Sequence, residues 1–216
     1  MLVPSLPASV MTMALALLAA GRAEADMIDS SGMAPWEGCG ECHGLDGASP
    51  SPRFPKLAGQ PAAYLEKQIR DFLSGARVND GGQMQTVVTE IATEDIPRVA
   101  AYFATLPPPS PAGGDALPSA AEAALASGLV EGGREEVGLP ACRECHGVDA
   151  LASLLEAQRR TYLKKQLGEF RSGARANDPS GTMATIARRL SEPEIDALAS
   201  YLAARPRPDP SGRSAG

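Results

Sequence analysis

The chain has 216 residues, 44% hydrophobic and only 4% aromatic, with 20 Lys+Arg against 26 Asp+Glu and a formal net charge of −6. That length allows two small domains, and domains of under about a hundred residues bury a modest share of their surface, so a bound group is expected to help fill them. The acidic balance argues against nucleic acid or anionic lipid as a partner, because neither counterion release nor headgroup attraction would favour binding.

In chain order, the first predicted element is a targeting segment over residues 1–25. An apolar run from Val10 to Ala20 is followed by Ala23-Glu24-Ala25, a small-x-small cleavage pattern, so the mature chain is expected to start at Asp26. The alternative is an uncleaved N-terminal anchor facing the periplasm. The apolar run is, however, shorter than the roughly 20 residues of a spanning helix. Export with cleavage, and no stable membrane insertion afterwards, is the expectation. Removing the segment deletes Arg22 and Glu24 and leaves the net charge at −6.

The remainder is a tandem repeat. Cys39-Gly40-Glu41-Cys42-His43-Gly44 answers Cys142-Arg143-Glu144-Cys145-His146-Gly147. Tyr64-Leu65-Glu66-Lys67-Gln68, continuing to Ser74-Gly75-Ala76-Arg77 and Asn79-Asp80, answers Tyr162-Leu163-Lys164-Lys165-Gln166, continuing to Ser172-Gly173-Ala174-Arg175 and Asn177-Asp178. Met84-Gln85-Thr86-Val87 pairs with Met183-Ala184-Thr185-Ile186, and Ala101-Tyr102-Phe103 with Ser200-Tyr201-Leu202. The expected organisation is a first domain over 26–106, a Pro/Gly-rich linker over 107–118, a second domain over 119–205 and a disordered tail over 206–216.

Apolar spacing within each copy is helical. Leu65, Ile69 and Phe72 share a face, as do Leu163, Leu167 and Phe170. Thr93 opens a later helix with Pro97 in its first turn, and Ser191-Glu192-Pro193-Glu194 has the spacing of a capping box before Ile195, Leu198 and Leu202. No segment reads as a strand. The fold class is therefore all-α, with short helices in each domain.

All four cysteines and both histidines fall in the two Cys-x-x-Cys-His motifs. On one helical turn, two thiols three residues apart can each add to a vinyl group of haem while the adjacent imidazole reaches the iron. A thioredoxin-like site would want a surrounding βαβ pattern. A zinc site wants about four ligands, and each copy supplies two Cys and one His. Two covalent haem c groups account for every Cys and His. Downstream of each motif stands a single methionine, Met84 or Met183, whose soft thioether suits the sixth position of the iron, although a lone methionine also serves as core packing.

With these residues in hand, nearly the whole mature chain resembles the diheme class I cytochromes c of the cytochrome c-four type. The resemblance implies a tandem of short-helix shells, each around one haem. Cys39, Cys42, His43 and Met84 would serve the first haem, and Cys142, Cys145, His146 and Met183 the second, with His43, Met84, His146 and Met183 binding iron. Pro55 resembles the family's proline whose carbonyl accepts the histidine Nδ1–H. His43 and Tyr64 are 21 positions apart, but His146 and Tyr162 only 16, and the shorter stretch has no proline, which leaves the carbonyl partner of His146 unassigned. The second haem is accordingly expected to be less shielded and to differ in potential. Tyr64, Tyr162, Arg77 and Arg175 are candidates for holding haem propionates, with helix packing or solvated charge as the alternative.

The function expected is a one-electron carrier, not an enzyme, working in the periplasm between a donor dehydrogenase or quinol-oxidising complex and a terminal oxidase or reductase. A second reading is the cytochrome subunit of a flavin or sulfur-compound dehydrogenase. A third is a haem enzyme with one open axial position, which would require losing a methionine. Residues 26–109 carry 6 Lys+Arg and 11 Asp+Glu, net −5, whereas 110–216 carry 13 and 14, net −1, so the two halves are suited to different redox partners.

Overall fold

The computed structural model describes residues 32–111, 117–147, 152–178 and 180–208, and among these the regular elements are helices, with one isolated bridge between Arg134 and Leu139. The predicted targeting segment, residues 112–116 of the linker and 209–216 of the tail lie outside the described residues.

The first copy runs through α1 (Glu37–His43), α2 (Ala62–Leu73), α3 (Gln83–Val87) and α4 (Ile96–Thr105). The second begins with α5 (Ala120–Glu131) and then repeats the series as α6 (Cys142–His146), α7 (Arg160–Ser172), α8 (Thr182–Arg188) and α9 (Glu192–Ala204). Thr93 opens a 3-10 turn, Thr93–Asp95, so α4 itself starts three residues later than its sequence signal, with Pro97 in the first turn. The capping box at Ser191 and Glu194 forms as the spacing predicts, and a second one, Ser119 with Glu122, starts α5.

In the first copy α2 packs on α4 around Leu65, Val99, Ala100 and Phe103. In the second, α7 and α5 both lie against α9, and the buried cluster is larger, built around Leu129, Val130, Leu163, Ile195, Leu198 and Leu202. Trp36 stacks on Tyr102 with ring centroids 4.6 Å apart, and the Tyr102 hydroxyl donates to the Leu45 carbonyl at 2.8 Å beside the first motif.

Gly59 and Ala157 occupy equivalent places ahead of α2 and α7, and both have left-handed backbones, φ 69° and 54°. Their N–H groups donate to the ends of α4 and α9, Gly59 to Phe103 at 2.9 Å and Ala157 to Leu202 at 3.0 Å. The chain is thereby turned so that the next residue, Gln60 or Gln158, points into the other copy, where each is bonded to backbone.

The two copies meet through reciprocal bonds, the signature of an approximate twofold axis. Gln68 and Gln166 sit mid-way along the buried faces of α2 and α7. The Gln68 Oε1 accepts from Arg77 of its own copy at 2.8 Å and from Arg175 and Asn177 of the other at 3.1 and 2.9 Å. Gln166 Oε1 does the same with Arg175 at 2.6 Å, Arg77 at 3.0 Å and Asn79 at 3.1 Å. Lys67 reaches the Asn177 carbonyl at 2.9 Å, and Lys165 the Asn79 carbonyl at 2.5 Å.

Arg207, within the stretch expected to be a free tail, is instead buried between the copies. Its Nε donates to the Glu156 carbonyl at 3.0 Å and its Nη1 to the Ala58 carbonyl at 2.5 Å, and these two carbonyls are equivalent positions of the repeat. Burial lowers its pKa to about 10, with the Glu156 carboxylate opposing that shift.

Candidate functional site

Each Cys-x-x-Cys-His lies on a short helix, α1 or α6, which puts both thiols and the imidazole within one and a half turns. Gly47, with φ 65°, lets the loop after α1 close tightly: its carbonyl accepts from Leu57 and Ala58, and a Cβ there would stand 2.7 Å from the Ala58 nitrogen. That closure brings residues 54–58 back over the histidine.

His43 is 5% exposed, its Nδ1 lies 2.9 Å from the Pro55 carbonyl, and Phe54 packs edge-on to the ring at 5.9 Å. His146 has a partner too, the carbonyl of Ser153 at 2.7 Å, in the position that aligns with Pro55. The missing proline removes nothing, since the acceptor is a backbone oxygen. Burial lowers the pKa of both rings, opposed by the Pro55 bond at His43 and by the Ser153 bond and Glu156 at His146. Each ring is therefore neutral near pH 7, with Nδ1–H donating to a carbonyl and Nε2 left as the lone-pair atom for a metal.

Burial also pushes the Cys39 and Cys142 thiols up to about 11 each. Cys39, Cys42 and Cys142 are half-buried and Cys145 is exposed, and His146 is only half-buried. The second centre is the more open of the two.

Met84 and Met183 are half-buried in the first turns of α3 and α8, each behind a glycine with positive φ, Gly82 and Gly181. An aspartate holds each: the Met183 N–H donates to Asp178 Oδ2 at 2.5 Å, and the Met84 N–H to Asp80 Oδ2. These aspartates close the repeated Asn-Asp pairs and stand four and five residues ahead of their methionines, and the repeated Asn-Asp is the signal that marks them. Gln60 and Gln158, four residues ahead of Tyr64 and Tyr162, carry a similar signal.

Arg77 and Arg175 are buried at the seam, stacked over Phe72 at 4.5 Å and Phe170 at 4.4 Å. Arg77 also donates to the Tyr162 hydroxyl at 3.2 Å. Burial would raise the Tyr162 pKa, but Arg77 and Arg175 together hold it below the ordinary phenol range. Helix packing and burial in the seam, not solvated charge, describe both arginines.

The donor set fits a covalent haem in each copy: a helix-borne thiol pair, and an imidazole whose tautomer is fixed with Nε2 free. The small apolar cluster of the first copy, built on four buried side chains, fits a domain completed by an apolar group. Among the described residues there is no group of three or more His, Cys, Asp or Glu placed to hold a metal ion by itself. Nor, among them, is any helix long and apolar enough to cross a membrane.

Comparison with known proteins agrees with this geometry. The cytochrome c family model matches residues 31–107. A cytochrome c4 of Pseudomonas aeruginosa is 37% identical over 200 residues, covering 89% of this chain and 96% of the relative. A thiosulfate dehydrogenase electron acceptor of Thiomonas intermedia is 34% identical, covering 78% of each chain. The crystal structure of reduced recombinant cytochrome c4 from Pseudomonas stutzeri superposes with a TM-score of 0.66 at 34% identity, covering 76% of this chain and 92% of that one.

Proposed function

Because the chain belongs to the cytochrome c4 family, we propose that Cys39, Cys42, His43 and Met84 hold one haem c, and Cys142, Cys145, His146 and Met183 the other. The protein is an electron-transfer protein with two covalent haems, not an enzyme in its own right. When bound, each haem supplies a ferric/ferrous couple that takes and returns one electron.

The chain's own residues determine how that couple behaves. Nδ1–H donation from His43 to Pro55 and from His146 to Ser153 orients each imidazole and raises its basicity toward the metal. Asp80 and Asp178 fix the backbone of the methionines, whose soft sulfur favours the ferrous state. Histidine and methionine together would hold the iron in each copy and leave oxygen and small substrates no place on it, so the chemistry supplied would be exchange of electrons with another protein. Arg77, Tyr162 and Arg175 spend their hydrogen bonds within the seam, and we assign them to holding the two copies together rather than to the propionates.

The observation that carries this reading is the pair of imidazoles, each tied through Nδ1 to an equivalent backbone carbonyl. The test is the mass and optical spectrum of the protein produced with haem-attachment machinery. Two covalent haems and a full methionine-to-iron charge-transfer band are expected; one haem, or half the band, would mark an open iron and favour the haem-enzyme reading.

The partners are redox proteins. The relative named a thiosulfate dehydrogenase electron acceptor favours a sulfur-compound dehydrogenase as donor. Thiosulfate with a purified thiosulfate dehydrogenase should then reduce the ferric protein, whereas no reduction would return attention to quinol-oxidising complexes. The compartment is the periplasm, with the mature N-terminus at Asp26, which N-terminal sequencing of the exported protein tests.

A further inference from the structure

In each copy, the peptide group that orients the histidine is gripped from the other copy. The carbonyl of Pro55 accepts from His43, and the N–H of the same peptide unit, on Lys56, donates to Gln158 Oε1 at 2.9 Å. The carbonyl of Ser153 accepts from His146, and the N–H of that unit, on Leu154, donates to Gln60 Oε1 at 2.9 Å. Each glutamine then closes a second bond with its amide nitrogen, Gln158 to the Lys56 carbonyl at 2.9 Å and Gln60 to the Leu154 carbonyl at 2.8 Å. Both glutamines are buried, at 4% and 3% exposure.

A peptide unit is rigid and planar, so an acceptor fixed on its N–H fixes the direction of its carbonyl. Hydrogen bonds in series through one amide also polarise each other, so a bond at the N–H end strengthens acceptance at the oxygen. The resulting chain runs from the Gln158 amide through the Pro55–Lys56 peptide to His43, and its counterpart from Gln60 through Ser153–Leu154 to His146.

We propose that Gln158 and Gln60 are crossed positioning residues, each setting the histidine bond of the opposite copy and, through it, the potential of that copy's haem. The proposal rests on the haem-ligand reading of His43 and His146. It gives the seam a role beyond adhesion, since separating the copies would release both histidine-bearing peptides. Arg159 of the second copy also donates to the Ser49 carbonyl, and Thr161 to the Pro52 carbonyl at 3.3 Å, on the same loop of the first copy.

The test is a redox titration of the intact two-haem protein, followed by the separate paramagnetically shifted haem methyl resonances of each copy, for the parent, Gln158→Leu and Gln60→Leu. A looser Nδ1 bond makes the imidazole a weaker donor and the ferric state less favoured. Gln158→Leu should therefore raise the potential of the haem on Cys39 and Cys42 more than the other, and Gln60→Leu should do the reverse. Amide exchange at Lys56 in the first variant, and at Leu154 in the second, should accelerate at least about tenfold as the N–H loses its acceptor. Accelerated exchange with unchanged potentials, equal shifts of both haems, or a shift confined to the variant's own copy would each overturn the proposal. If Gln158→Leu does not fold, Gln158→Asn, too short to close both bonds, carries the same expectations. A parent protein without haem on both motifs would fail the ligand reading instead, and the covalent mass reports that separately.

Discussion

Ala157 is buried with φ 54°, at the place where the first copy has Gly59. A left-handed backbone costs an ordinary L-residue about 1–2 kcal/mol, and glycine escapes most of that while losing about 0.5–1 kcal/mol of chain entropy on folding. Ala157→Gly is therefore expected to stabilise the second copy by about 0.5 kcal/mol in denaturant melts. At the haem centres, Met183→Ala should remove about half of the methionine-to-iron band and lower one of the two potentials, since the thioether favours ferrous iron. The parent should titrate with two distinct potentials, because His43 is buried while His146 and Cys145 are more open. The thiols and imidazoles were legible in the sequence because they share one short motif of fixed spacing, and the methionines because each stands alone downstream of its motif. The Ser153 acceptor was not, because any residue can offer a carbonyl and a search for proline passes over it.

Helix termini carry the clearest pH dependence. Burial alone would raise the pKa of Glu194, but the Ser191 N–H and hydroxyl, at 2.7 and 2.8 Å, and Arg134, at 2.5 Å, outweigh it and hold the carboxyl below the usual range. A carboxyl depressed on folding contributes its stability above its unfolded pKa of about 4.3 and loses it as pH falls through the lower folded value. Glu194→Gln should cost about 1 kcal/mol at pH 7, and its thermal melting should converge with the parent's in acid. This box was legible because Ser191 and Glu194 precede a run with one apolar face. The equivalent box at Ser119 and Glu122 opens Ala120–Glu131, where alanine is spread around the helix and leaves no stripe to read. At Thr93 the signal was correct, but the chain spends one 3-10 turn before the α-helix begins.

The seam between the copies was the least legible feature. In the sequence Gln68 and Gln166 stand only as matched positions of the repeat, and that each completes the other's arginine follows from docking two surfaces, which no local pattern encodes. The same holds for Arg207, whose neighbours Pro206, Pro208 and Asp209 read as a loose end. Deleting residues 207–216 removes its bonds to Ala58 and Glu156 and should cost about 2 kcal/mol relative to deleting 209–216 alone, read from the two melting curves. Arg207 also bears on why one polypeptide carries both centres. An axis relating two separate, identical subunits presents every group twice, and a buried guanidinium standing on it would meet its own positive mate. Fusing the halves into one chain lifts that restriction, so a single cation can bridge two equivalent carbonyls. An assembly of two free one-haem subunits could reproduce the glutamine and arginine exchange around the axis, but not this central pin.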